Sequence, residues 1–437
     1  MKVSANSPSG IRSFISRSTK MSSIKQKILS LSKNKEAKTL AGNFMWLSLL
    51  QVAGYVFPLI TLPYLARVIG VEGFGKVAFA AAIMVWIQTI ADWGFNLTAT
   101  RDVAQNRDNP QKVSEIFSNV LWARCALMLL SFIILVLLIL VVPKFRENSA
   151  IILVTFLMIP GHIFFPDWFF QAIEKMKYIT ILNVLMKLIF TIAVFIFIKQ
   201  PEDYILQPLF TSLGYVVSGL IALYYIVCKW GIKLHKPNGA GILQTIKKST
   251  DVFINTLAPN LYNSFSTVLL GFFGGGTANG IYDGGSKFFS ACNQLLQIFT
   301  RTFFPFLSRK TNRYKEFVLL TMSISIIVAL LLFIFAPLLV HTMLSDEFYN
   351  SIIVIRILAL SLVFTMLYNC YGMCYLIIQK KEKVLRHITL YVSLLGFCIS
   401  WFLVKEYSYI GAALTVGICR ILLGVITFIV AKRYFKA

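Results

Sequence analysis

Six polar side chains mark one face of an otherwise apolar stretch. Asp283, Lys287, Ser290, Gln294, Gln297 and Arg301 recur at steps of three and four. At about 100° per residue they fall within an arc of roughly 80° on a helix. The remaining faces carry Phe288, Phe289, Leu295, Ile298 and Phe299. Residues 281–304 are long enough to cross hydrocarbon, where a single charge costs at least about 2.5–3.5 kcal/mol. Placing Lys287 and Arg301 on one stripe therefore calls for a wet, cationic cavity, and such a cavity suits polar, anionic cargo. Thr256, Asn260, Asn263 and Thr267 form a second stripe within about 60°. Asn43, Gln51, Gln88, Asp92 and Asn96 add polar positions near the start of the chain. The competing reading for Asn and Thr is hydrogen bonding between helices. The expected cavity residues are Lys287, Arg301, Gln294, Ser290, Asn260 and Asn263.

The charges divide by position. Asp283 stands four residues before Lys287 and is placed to pair with it along a helix. Arg301 lies near a span end, within snorkelling reach of lipid headgroups. Lys187 and Arg420 sit at the centres of their spans, the costliest depth. Asp92 and Arg124 are each about two turns from the same membrane face and are expected to form an ion pair. That pair is either structural or the protonatable part of a coupling mechanism. The four histidines are scattered, and no CxxC or His/Cys spacing suggests a metal. Gly280 to Lys287 reads GxxxxGSK, one residue out of step with a phosphate-binding loop. No cofactor is expected, and the energy source would be a gradient of protons, of sodium or of the cargo itself.

The elements that position these residues are membrane spans. Of 437 residues, 57% are hydrophobic and 14% charged, against about 25% charged in soluble domains. Twelve apolar stretches of about 20 residues or more occupy 40–64, 76–98, 117–142, 149–172, 178–198, 207–229, 251–273, 281–304, 316–341, 351–378, 386–404 and 409–431. The chain thus reads as all-α and integral to a membrane. A basic tail (1–39) precedes a first set of six spans (40–229), a linker (230–250) and a second set (251–437). With the N-terminus inside, 30 of the 42 Lys and Arg fall in inner segments and six in outer ones. That bias predicts both termini on the cytoplasmic side. It also assigns the net charge of +24 to anionic lipid contact, with no need for nucleic acid. Residues 70–75 and 275–280 both carry glycine-rich turns, which suggests a parallel repeat of two halves. The glycines of 271–285 are expected to make a flexible outer turn and hinge. The seven cysteines lie in or beside apolar segments and read as buried small hydrophobes.

The run LPYLARVIGVEGFGKVAFAAAIMVWIQTIADWGFNLTATRDVAQNRDNPQKVSEIFSNV, residues 62–120, closely resembles Wzx-type O-antigen flippases. So do WFFQAIEKMKYIT, residues 168–180, and NTLAPNLYNSFSTVLLGFFGGG. The likeness extends over most of 40–432. Membership of the multidrug/oligosaccharidyl-lipid/polysaccharide (MOP) exporter superfamily implies twelve helices in two six-helix bundles that form a V. It also implies alternating access in the bacterial inner membrane. The implied cargo is undecaprenyl-pyrophosphate bearing an O-antigen repeat unit, with an O-antigen polymerase as a possible partner. Lys287 and Arg301 match that family's cationic lumen. Lipid II flippases carry an Arg in the middle of span one. Here Arg67 stands at that span's end instead. Rival expectations are a cation-coupled drug exporter of the same fold, a polymerase or ligase acting on the same lipid, and a membrane scaffold. Acidic, aromatic cavities would favour the first. The second needs a large outer loop, and the outer loops here are too short for one.

Overall fold

A computed structural model describes residues 35–309 and 314–435, without the side chains of 35–41, 44, 299, 301–309 and 435. The basic tail up to residue 34 lies outside it. Among the described residues every regular element is helical. Nine helices among the described residues are long and apolar enough to cross a membrane by length and composition. One of these, Glu382–Phe435, is a hairpin: Ser408 leaves helical geometry at φ 49°, ψ −128°. Its two arms touch, with the Cys419 thiol 4.0 Å from the Val392 carbonyl oxygen. Large apolar side chains such as Leu130, Ile133, Leu319 and Phe402 face outward. That arrangement suits hydrocarbon, where helices satisfy their own backbone.

Several elements position the candidate site. Helix α1 covers Lys35–Val68, α2 Gly70–Asp92, α3 Phe95–Gln105 and α4 Pro110–Val141. Helix α5 covers Met176–Phe197, α6 Gly239–Leu257, α7 Asn263–Phe273, α8 Gly275–Arg309 and α9 Glu382–Phe435. Local chemistry sets their limits. Asn109 caps α4 by accepting from the Lys112 N–H, with Pro110 in the first turn. Asn238 caps α6 through the Ala240 N–H. Residues 239–250, expected as linker, are therefore helix. Span seven is broken by a short 3-10 turn at Ala258–Leu261, where Pro259 removes one backbone donor. Span four is three short helices rather than one.

The glycine-rich segments are packed, not loose. Gly70 and Gly275 take left-handed φ of 65° and 72°, and each is followed at once by helix. A β-carbon on Gly75 would lie 1.7 Å from the Gly276 carbonyl oxygen, and one on Gly280 2.0 Å from that of Val71. Helices α2 and α8 thus meet main chain to main chain, and the expected flexible hinge is instead a tight seam. Glu347 accepts from the Val71 N–H at 2.9 Å, and Arg67 donates to the Thr342 carbonyl at 2.8 Å. Leu62, Leu65, Ile69 and Phe74 consequently share one buried core with Ile281, Leu344 and Phe348 of the later helices. A second core, from Phe79 to Ile232, is built by the earlier helices, with Ile242, Ile246 and Val268 of the later ones packed against it.

Candidate functional site

Below the glycine seam, α2, α7, α8 and α9 surround a cavity of about 470 Å³. A second cavity of about 400 Å³ adjoins it between α1, α5 and α8. Gln207, Thr211, Asp283, Lys287 and Ser290 line both, so the two form compartments of one hollow. The polar stripe of α8 faces this space at three of its predicted positions. Lys287 and Asp283 pair along the helix at 3.2 Å, the lysine half exposed to the hollow. Ser290 is exposed beside them while Phe289 is buried. Asn263 joins the larger compartment and donates to the Pro259 carbonyl, which also accepts from the Tyr262 N–H at the break in span seven.

Two further cations line the hollow. Arg420 of α9 borders the larger compartment, with its guanidinium 4.2 Å from the centre of the Phe289 ring. Its Nε has no hydrogen-bond partner among the described residues. Lys187 of α5 borders the smaller compartment, half-buried and without an ion pair among the described residues. Among the residues lining the two compartments, Asp283 is the only carboxylate, and Lys287 already holds it. Sequence reasoning gave neither Lys187 nor Arg420 a place in the site. Their depth at mid-span was the available signal, since a lone charge there is costly unless it faces water or a counter-ion.

The remaining expected residues fall elsewhere. Asn260 donates to the Thr89 hydroxyl at 2.9 Å. It lines a separate hollow of about 300 Å³ with Gln88, Asp92 and Asn96. Asp92 forms an ion pair with Arg124, whose side chain is 3% exposed. Gln88 lies 3.5 Å from His162 close by. Gln294 keeps its Oε1 buried without a partner among the described residues. Arg301 lies on α8, but its side chain is outside the described residues. Of the seven cysteines, all free, Cys228 and Cys398 are exposed rather than buried.

Beyond Asp92 the helices close again. Trp93 (φ 39°) and Gly94 (φ 77°) break α2 from α3 with two left-handed residues. The Trp93 ring stacks on Phe253 of α6 at 3.8 Å, and its Nε1 donates to the Thr250 hydroxyl. A β-carbon on Gly94 would lie 2.8 Å from Val252. The Thr98 and Ser249 hydroxyls are 2.7 Å apart, and Lys248 pairs with Asp102 at 2.6 Å. The hollow is therefore shut at the glycine seam by α8 and at the opposite end by α6, with α2 common to both.

Comparison with known proteins agrees with this architecture. The sequence model of the family described as "Polysaccharide biosynthesis protein" matches residues 40–311. A putative O-antigen transporter of Escherichia coli (strain K12) is 29% identical over 390 residues, 87% of this chain and 94% of that protein. One from Shigella dysenteriae is 26% identical, over 87% of this chain and 97% of its own length. Among solved structures, the lipid II flippase MurJ in its inward closed conformation superposes with a TM-score of 0.68 at 13% identity, covering 89% of this chain and 87% of that one. A MATE protein in the straight conformation gives 0.57 at 12% identity, with 93% and 97% covered. The fold is that of the MOP transporters, an all-α, multi-pass membrane architecture.

Proposed function

Because this chain belongs to the polysaccharide biosynthesis protein family, we propose that it is a flippase for undecaprenyl-pyrophosphate-linked O-antigen repeat units. It carries them from the cytoplasmic to the periplasmic leaflet of a bacterial inner membrane by alternating access. The single observation that carries this reading is the charge of the mid-membrane hollow. Three cations, Lys187, Lys287 and Arg420, border it against one carboxylate, Asp283. An anionic diphosphate entering there exchanges water for charge-assisted hydrogen bonds, which offsets its desolvation. A drug exporter for cationic cargo would meet repulsion in the same space. The basic loops and termini face the cytoplasm in this reading, so the glycine seam closes the periplasmic side. The Trp93–Phe253 stack closes the cytoplasmic side.

The test is complementation of a strain lacking its own O-unit translocase. The wild-type chain restores surface polysaccharide, and Arg420→Glu at equal protein level lowers it about tenfold or more, as expected when a desolvated cation becomes an anion. Lys287→Ala gives a smaller loss, because it removes one positive charge where Arg420→Glu replaces a positive charge with a negative one. Full polysaccharide from both variants would overturn the cationic-cavity mechanism.

A further inference from the structure

The two compartments differ in what lines them. Pro58, Leu62, Phe74, Met186 and Phe190 line the smaller compartment with Lys187, so it is mostly carbon apart from that ammonium and the polar groups it shares with the larger one. The larger one presents Asn263, Ser264, Thr267, Ser286 and Ser290 with Arg420. The Lys287–Asp283 pair stands between them. A lipid-linked saccharide has the same sequence of parts: an apolar chain, a charged diphosphate and hydroxyl-rich sugars. From this correspondence we propose that Lys187 is the diphosphate anchor of the smaller compartment. The first prenyl units then lie against α1 and α5, and the sugars fill the larger compartment. This orientation rests on the flippase reading above and adds to it a polarity of cargo.

Three features fit this role. Among the described residues Lys187 makes no ion pair, so its ammonium in mostly apolar surroundings gains a direct counter-charge only when an anion arrives. Gly54 of α1 faces it, and a β-carbon there would lie 3.3 Å from Nζ. The missing side chain therefore leaves the space into which a phosphate oxygen would fit. The hydroxyls and the amide of the larger compartment supply donors and acceptors suited to sugar hydroxyls. Arg420 stands on that side, remote from the lipid end.

The experiment measures binding of radiolabelled farnesyl pyrophosphate, a short prenyl diphosphate, to the purified full-length chain, with inorganic pyrophosphate as competitor. Lys187→Gln weakens binding by about tenfold or more, the loss of a charge-assisted contact. Lys187→Arg keeps most of the affinity, and Gly54→Leu weakens it by crowding the ammonium. Arg420→Gln loses clearly less than Lys187→Gln, because it stands in the sugar compartment, whereas Lys405→Gln, outside the hollow, stays within about twofold. Inorganic pyrophosphate competes only at much higher concentration, because it leaves the apolar wall unfilled. Unchanged affinity in Lys187→Gln, or a larger loss in Arg420→Gln, overturns the orientation while leaving the flippase reading intact. Equal affinity for inorganic pyrophosphate removes the apolar compartment from the site. A wild-type chain that binds no prenyl diphosphate and restores no polysaccharide removes the flippase reading itself.

Discussion

At the scale of single residues, buried charges decide the outcome of most substitutions. Arg124 is almost fully buried against Asp92, and its Nε and Nη1 have no other partner among the described residues. Arg124→Ala leaves the carboxylate unpaired and is expected to cost about 3–5 kcal/mol of stability. The double variant with Asp92→Asn recovers part of that loss, which thermal unfolding in detergent will measure. Lys287→Ala leaves folding nearly untouched, since its pair is half exposed to the hollow. The period of the α8 stripe was legible because a helix repeats its faces every three to four residues, and Asp283, Lys287 and Ser290 follow it into the cavity. Asn260 keeps the same period yet serves another hollow, because the 3-10 turn at Ala258–Leu261 rotates it away from Asn263. Lys187 and Arg420 could not be assigned from spacing, since each is the one cation inside its apolar stretch, 178–198 and 409–431. Only the packing of α5 against α1 and of α9 against α8 brings them to one space.

At the scale of elements, the glycine seam determines whether α2 and α8 close. Its sequence signature was visible at 70–75 and 275–280, but glycine marks a hinge and a close contact equally well. The distinction needs the partner's backbone, which no single segment contains. Gly75→Leu is expected to wedge the seam open. The readout is labelling of a cysteine at Ser290, in a chain without native cysteines, by a membrane-impermeant maleimide added to the periplasmic side. Faster labelling than in the unsubstituted seam is the expected result, and an unchanged rate would mean that α2 and α8 separate elsewhere. Hydropathy found the apolar helices, of which nine among the described residues are long and apolar enough to cross a membrane, but not the division of span four into three pieces or the break in span seven. The helix at 239–250 was missed because its polar, basic composition obeys no membrane rule. Its signal was local: Asn238 as a cap followed by Gly239 and Ala240.

At the scale of the molecule, α2 takes part in both closures, meeting α8 at one end and α6 at the other. Alternating access in this arrangement requires that one contact break before cargo can leave. Cysteines at Thr98 and Ser249, whose hydroxyls stand 2.7 Å apart, would form a reversible tether across the cytoplasmic closure in a background without native cysteines. Oxidation is expected to stop polysaccharide export and reduction to restore it. Continued export through the oxidised chain would show that this closure need not open. The two ends are also made of different matter. The seam around Gly75 is backbone against backbone, with Glu347 and the Glu72–Lys76 pair at its edge. The far end depends on an aromatic stack, hydroxyls and the Lys248–Asp102 bridge, half of it in water. Dissolved ions weaken such a bridge within about a Debye length, near 8 Å at physiological strength, and leave a fit of bare backbone unaffected. Under the proposed orientation, ionic strength therefore bears mainly on the admission of cargo, while its discharge answers chiefly to shape.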